Sequence, residues 1–164
     1  PGRGRQMNQG ALHARGQWLL FHHADSMLSP AAVGKIICLP DGASWGGYRH
    51  RFAPSNWKLR LISALHNWRC SKTGVIYGDQ SMFVRRSFFR ALGGFAEQGL
   101  EDLQFSDTAL RYEAPVLLCD EVCTDARKFM QIGEFKALGQ VASILWRYER
   151  QRRVGNETFF RPYR

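Results

Sequence analysis

The sequence predicts an α/β chain, a mixed sheet flanked by helices. Three observations carry this. Short apolar runs, Trp18 to Phe21 and Pro115 to Cys119, read as strands, the first of them without alternation, like a strand buried on both faces. Longer segments at 55–70, 100–113 and 135–153 carry helical patterning. Glycine and proline punctuate the joints between them. At 164 residues the chain is expected to form one domain, 1–164.

The elements follow in order. Residues 4–15 place Met7, Ala11, Leu12 and Ala14 near helical spacing, and Gly16 ends the segment. Trp18 to Phe21 reads as a strand buried on both faces. Ser29-Pro30 is a helix start, with serine at the cap and proline in the first turn. Residues 43–52 alternate loosely around Gly46-Gly47, which suggests an edge strand or hairpin. Residues 55–70 form an amphipathic helix with Trp57, Leu61, Ala64, Leu65 and Trp68 on one stripe, the kind a helix turns to the core. Residues 75–84 read as strand, turn, strand around Gly78-Asp79-Gln80. A short helix over 86–95 closes at Gly93-Gly94, and a helix over 100–113 opens with Glu101-Asp102. After the strand at 115–119, residues 135–153 form an amphipathic helix, within a C-terminal segment (133–153) that leads to a basic tail at 154–164.

Composition narrows the classes. Hydrophobic residues make up 45% and charged residues 23%, which suits a packed core rather than disorder. Net charge is +9, pointing to anionic company: phosphorylated small molecules, an anionic membrane surface or nucleic acid. Nucleic acid is not expected, because the basic residues are scattered and no recognition motif accompanies them. Cys38, Cys70, Cys119 and Cys123 fit no zinc spacing and read as reduced thiols. No apolar run approaches the roughly 18 residues of a membrane span, and no signal peptide is expected. The expected location is cytoplasmic, with attachment to an anionic membrane surface as an open alternative.

Four constellations offer chemistry. His23-Ala24-Asp25 follows the first strand, where open α/β sheets bind ligands; Asp25 can hold a divalent cation or merely cap a turn. Glu101-Asp102 can supply a general base or simply complement a helix dipole. Turn chemistry accounts for Gly78-Asp79 but not for Gln80 before an apolar strand. Arg127-Lys128 can neutralise a diphosphate or serve as surface charge.

Four blocks in register, GRQMNQGA (4–11), WLLFHHADS (18–26), YGDQSMFVRRSFFRALGGF (77–95) and LEDLQFS (100–106), carry a resemblance. Over roughly residues 2–130 the chain resembles family 2 glycosyltransferases of the GT-A fold, Rossmann-like and mixed. It is most similar to a bacterial subgroup with GR-x-RQMN-x-GA, LLFLHADT and YGDQ motifs. The resemblance implies inverting, metal-assisted transfer of a sugar from a nucleoside diphosphate to an acceptor hydroxyl. Asp102 would be the base and Glu101 would orient it. Asp25 would match the second aspartate of a D-x-D motif and hold Mn²⁺ or Mg²⁺, with His23 standing in place of the first. Tyr77, Gly78, Asp79 and Gln80 would line the sugar or acceptor pocket. Gln6 and Asn8 would lie near the donor nucleotide, and Arg127 and Lys128 near the diphosphate, followed by Phe129 where relatives often have tryptophan. The resemblance further implies that the chain starts after the nucleotide-binding strands. It would then be N-terminally incomplete, inactive alone, and prone to self-association through an exposed sheet edge. The competing reading is a truncated or non-catalytic GT-A-like module that binds an anionic partner or membrane.

Overall fold

A computed structural model describes residues 2–97 and 100–133, with Gly139 and Ser143 as isolated positions. The expected helix at 135–153 and the basic tail at 154–164 lie outside the described residues.

The elements run α1 (Arg3–His13), β1 (Trp18–Phe21), β2 (Ser26–Met27), α2 (Pro30–Ile37), β3 (Trp45–Ala53), α3 (Trp57–Thr73), a 3₁₀ turn (Gly78–Gln80), β4 (Met82–Arg85), α4 (Arg86–Ala91), α5 (Glu101–Ala109), β5 (Val116–Asp125) and α6 (Arg127–Ile132). The five strands form one mixed sheet in the order β1-β4-β3-β5-β2. β3 and β5 are parallel; the other pairs are antiparallel. The expected α/β class, with a mixed sheet and flanking helices, is what the chain forms.

Local signals account for several boundaries. Ser29 Oγ accepts a hydrogen bond from Ala32 N at 3.1 Å and caps α2, with Pro30 in its first turn. Asn56 Oδ1 accepts from Leu59 N at 2.9 Å and starts α3, and Gly74 ends it in the left-handed region at φ 69°. α1 stops earlier than expected, at His13, with Ala14 extended behind it.

Four expectations need correction. β1 is not buried on both faces. Among the described residues it pairs with β4 alone, at the sheet edge, and only Leu19 of its four residues is buried. β3 is no edge strand but the middle of the sheet. A Cβ on Gly46 would lie 2.1 Å from Val116 O and 2.4 Å from the Phe83 ring, so glycine is what lets β4 and β5 close in on both sides. Residues 75–77 are not a strand; the chain passes from them into the 3₁₀ turn. The apolar stripe of α3 does not face the core, because Trp57, Leu61, Ala64, Leu65 and Trp68 are all exposed while Leu59, Ser63 and Cys70 are buried.

The reason for that inversion lies on β3. β4 pairs with only Trp45 and Gly46, so the later residues of β3 lose it as a neighbour. Asn67 of α3 fills the gap: Oδ1 accepts from His50 N at 2.8 Å and Nδ2 donates to His50 O at 3.0 Å. Satisfying that bare backbone turns the polar face of α3 inward.

The core divides between the two faces of the sheet. Met82 and Val84 pack with Trp45, Ile76, Phe89, Phe95 and Phe105, while Phe83 between them packs with Ala32, Ile36, Tyr48 and Val122. Phe21, Phe89, Phe95 and Phe105 stack with centroids 4.7–5.5 Å apart. This aromatic block seats α4 and the segment leading into α5, and so positions the acids at the start of α5.

Candidate active site

α5 begins without a capping side chain at Leu100, so its own acids take up nearby donors. Asp102 Oδ1 accepts from Leu103 N at 2.9 Å, and Oδ2 accepts from Gly78 N at 2.7 Å. The second bond ties the 3₁₀ turn to α5. Glu101 is buried and receives a hydrogen bond from Arg3 Nε, whose Nη2 also lies 3.6 Å from Asp102 Oδ2. Burial pushes the Asp102 carboxyl above the usual range, and Glu101 adds to this. Hydrogen bonds from Gly78 N and Leu103 N, and the charge of Arg3, oppose it. Such a carboxylate binds a proton more readily than a surface aspartate does.

His23 sits on the other side of Gly78. A Cβ on Gly78 would lie 2.7 Å from His23 Nε2 and 3.0 Å from Arg3 Nη2, so a side chain there would displace both. Burial, then Arg3, lowers the His23 pKa, while Asp79, Asp25 and Asp102 oppose the shift. At neutral pH the ring is uncharged. Arg3, His23, Gly78, Glu101 and Asp102 thus meet in one place, from segments up to 99 positions apart.

Gln80 answers a different need from the one expected. It is buried, Oε1 accepting from Tyr77 N and Nε2 donating to Tyr48 O, each at 3.1 Å. It locks the turn onto β3 and leaves Asp79 to project. Asp79 faces two histidines, with His66 Nε2 at 3.5 Å and His50 Nε2 at 3.9 Å. His50 Nε2, His66 Nε2 and Asp79 Oδ1 are buried atoms that make no hydrogen bond among the described residues. Burial lowers the His66 pKa to about 4 and lowers that of His50, with Asp79 opposing in both cases. His66 thus sits on the inner side of α3, largely withdrawn from solvent. Next to this group, the Arg69 guanidinium stacks 3.6 Å above the Tyr77 ring.

The remaining expected residues lie elsewhere. Asn8 Nδ2 donates to Phe95 O at 2.8 Å and Oδ1 accepts from Phe95 N at 2.9 Å, so its amide is taken up in holding the Gly93-Gly94 turn against α1. Gln6 is exposed and lines a shallow depression of about 380 Å³ with Gly2, Arg5 and Gln9. Asp25 is exposed between β1 and β2, and its carbonyl accepts from Asp125 N at 2.9 Å. Arg127 pairs with Asp125 at 2.5 Å. Lys128 lies in α6, and its side chain is outside the described residues.

Sequence reasoning missed Arg3 and the His50–His66 pair. His50 had a signal: Tyr48, His50 and Phe52 alternate as inward positions of β3. Arg3 had none beyond its place in the first motif.

A resident metal was tested against the donor set. No three His, Cys, Asp or Glu side chains among the described residues are grouped so as to hold an ion. Asp25 alone suits a Mg²⁺-type ion that takes its other ligands from water and a substrate's phosphates. No protein-family model matches the chain, and no curated protein matches it.

Proposed function

We propose that this chain is a GT-A-like glycosyltransferase, one that moves a sugar from a nucleoside diphosphate to an acceptor hydroxyl with inversion. One observation supports this most: the carboxylate of Asp102, made more basic by burial, shares a small polar site with Glu101, Arg3 and His23. The reading further rests on the resemblance of the four sequence blocks.

In this reading Asp102 accepts the proton of the acceptor hydroxyl. The acceptor oxygen then bonds to the anomeric carbon as the bond to the diphosphate breaks on the opposite face, and the diphosphate leaves with that electron pair. The turn Gly78–Gln80 holds Asp102 through Gly78 N, and Arg3 holds Glu101 beside it. His23, uncharged, can share a hydrogen bond with a sugar hydroxyl without competing for the phosphates. By the resemblance, Arg127, which here pairs with Asp125, would add positive charge near the leaving diphosphate. Mn²⁺ or Mg²⁺ held by Asp25 and the donor phosphates would stabilise the same charge.

The test is turnover of a UDP-, GDP- and dTDP-sugar panel by the product of the whole gene, with Mn²⁺ and with chelator. Asp102→Asn should lower transfer roughly 10²- to 10⁴-fold, the usual worth of a general base, while nucleotide binding survives. Unchanged turnover in that variant overturns the assignment of the base. Silence across the panel with Mn²⁺ present favours the non-catalytic module instead.

A further inference from the structure

The outward face of α3 remains unexplained by any of this chemistry. Trp57, Leu61, Leu65 and Trp68 are 68%, 53%, 51% and 62% exposed, four large apolar side chains on one side of a single helix. At 100° per residue, they and Ala64 fall within roughly 100° of arc, and the tryptophans stand about 16 Å apart along the axis. An isolated exposed leucine needs no account, but a continuous stripe of this kind does. The inner face of the same helix is already committed to Leu59, Ser63, His66, Asn67 and Cys70.

Charge identifies the occupant. α3 carries Lys58, Arg60, Arg69 and Lys72 and no acidic residue. Arg60 borders the stripe on one side and Lys58 on the other, while the Arg69 guanidinium is taken up against the Tyr77 ring. We propose that this face of α3 docks on an anionic lipid surface, lying in the interface with its tryptophans and leucines in the headgroup boundary. Tryptophan favours that depth, having an apolar ring and one N–H donor. The flanking cations meet the lipid phosphates, and the aliphatic stems of lysine and arginine let those charges reach outward.

The competing occupants suit the charge less well. A second copy placed stripe to stripe would set one basic helix against another. Residues 134–153 of this chain, as a covering helix, bring five Lys or Arg against two Glu and would do the same. A membrane requires no complementary groove, and the stripe stands on the convex side of a helix.

The experiment is co-sedimentation of the full chain with vesicles of phosphatidylcholine alone and of equimolar phosphatidylcholine and phosphatidylglycerol, with tryptophan emission recorded. The chain should bind the anionic vesicles, shift its emission to the blue, and release as salt rises. Trp57→Ser with Trp68→Ser should cut binding at least tenfold and abolish the shift. Arg60→Gln with Lys72→Gln should cut it roughly fivefold per cation and leave phosphatidylcholine binding unchanged. These side chains are exposed, so unchanged far-UV circular dichroism and urea midpoints are expected. Three results would overturn the proposal: full binding by the tryptophan variant, no binding by the parent chain, or binding lost only on deleting 154–164. So would self-association of the parent chain, without vesicles, that the tryptophan variant lacks.

Discussion

His66 is the clearest titration handle on this fold. Its pKa falls from 6.5 to about 4, chiefly because the ring is buried against β3 and the 3₁₀ turn. The folded state therefore holds a neutral ring where the unfolded chain would already bind a proton. Stability contributed by this group is complete above pH 6.5 and drains away as pH falls toward 4. Between pH 7.5 and 5 the loss is about 2 kcal/mol, and the whole difference is worth about 3 kcal/mol. The assay is urea unfolding at a series of pH values, comparing the parent chain with His66→Gln. Glutamine does not titrate, so the variant's stability should decline about 2 kcal/mol less over that window. His23 and His50 are lowered too and act with the same sign, but they are common to both proteins. Asp102, raised by burial, acts with the opposite sign and is also common. Parallel pH profiles for the two proteins would refute the reasoning and mean that water reaches Asp79 and His66 freely.

Two further outcomes follow from packing and charge. Gly46→Ala should destabilise by about 3 kcal/mol or more, because the new methyl meets a backbone oxygen and a ring from opposite strands. Gly10→Ala meets nothing within 4 Å on α1 and should stabilise by up to about 1 kcal/mol, so the two urea midpoints should move in opposite directions. If Asp102 is the base, Arg3→Gln should move the acidic limb of the kcat/KM profile to higher pH, since Arg3 holds the Asp102 pKa down. An unmoved limb would mean that Arg3 only braces Glu101.

What was legible in the sequence was local. Ser29-Pro30, Gly93-Gly94 and the acids at 101–102 mark helix ends by their residue types alone, and the structure places each near the boundary it suggested. What was illegible depended on distant neighbours. Gly46-Gly47 looked like an edge because glycine weakens a strand. It occupies the centre because Phe83 and the Val116 carbonyl press on it, from 37 and 70 positions away. The α3 stripe looked like core because apolar periodicity usually marks it. The deciding partner was the bare backbone of His50, which no helical pattern reveals. In the site, Asp102 could be named from its helix, but Arg3 could not be joined to it across 99 positions.

Three side chains each grip both backbone groups of one distant residue: Asn8 on Phe95, Asn67 on His50, and Ser106 on Ile76. The two asparagines give these grips a chemical lifetime. Slow hydrolysis of either amide to a carboxylate would exchange its donor for a second acceptor and set an oxygen against the Phe95 or His50 carbonyl. The fold would then age from within at two places that hold the turn before α5 and the inward face of α3. Serine at 106 makes the third grip proof against that wear.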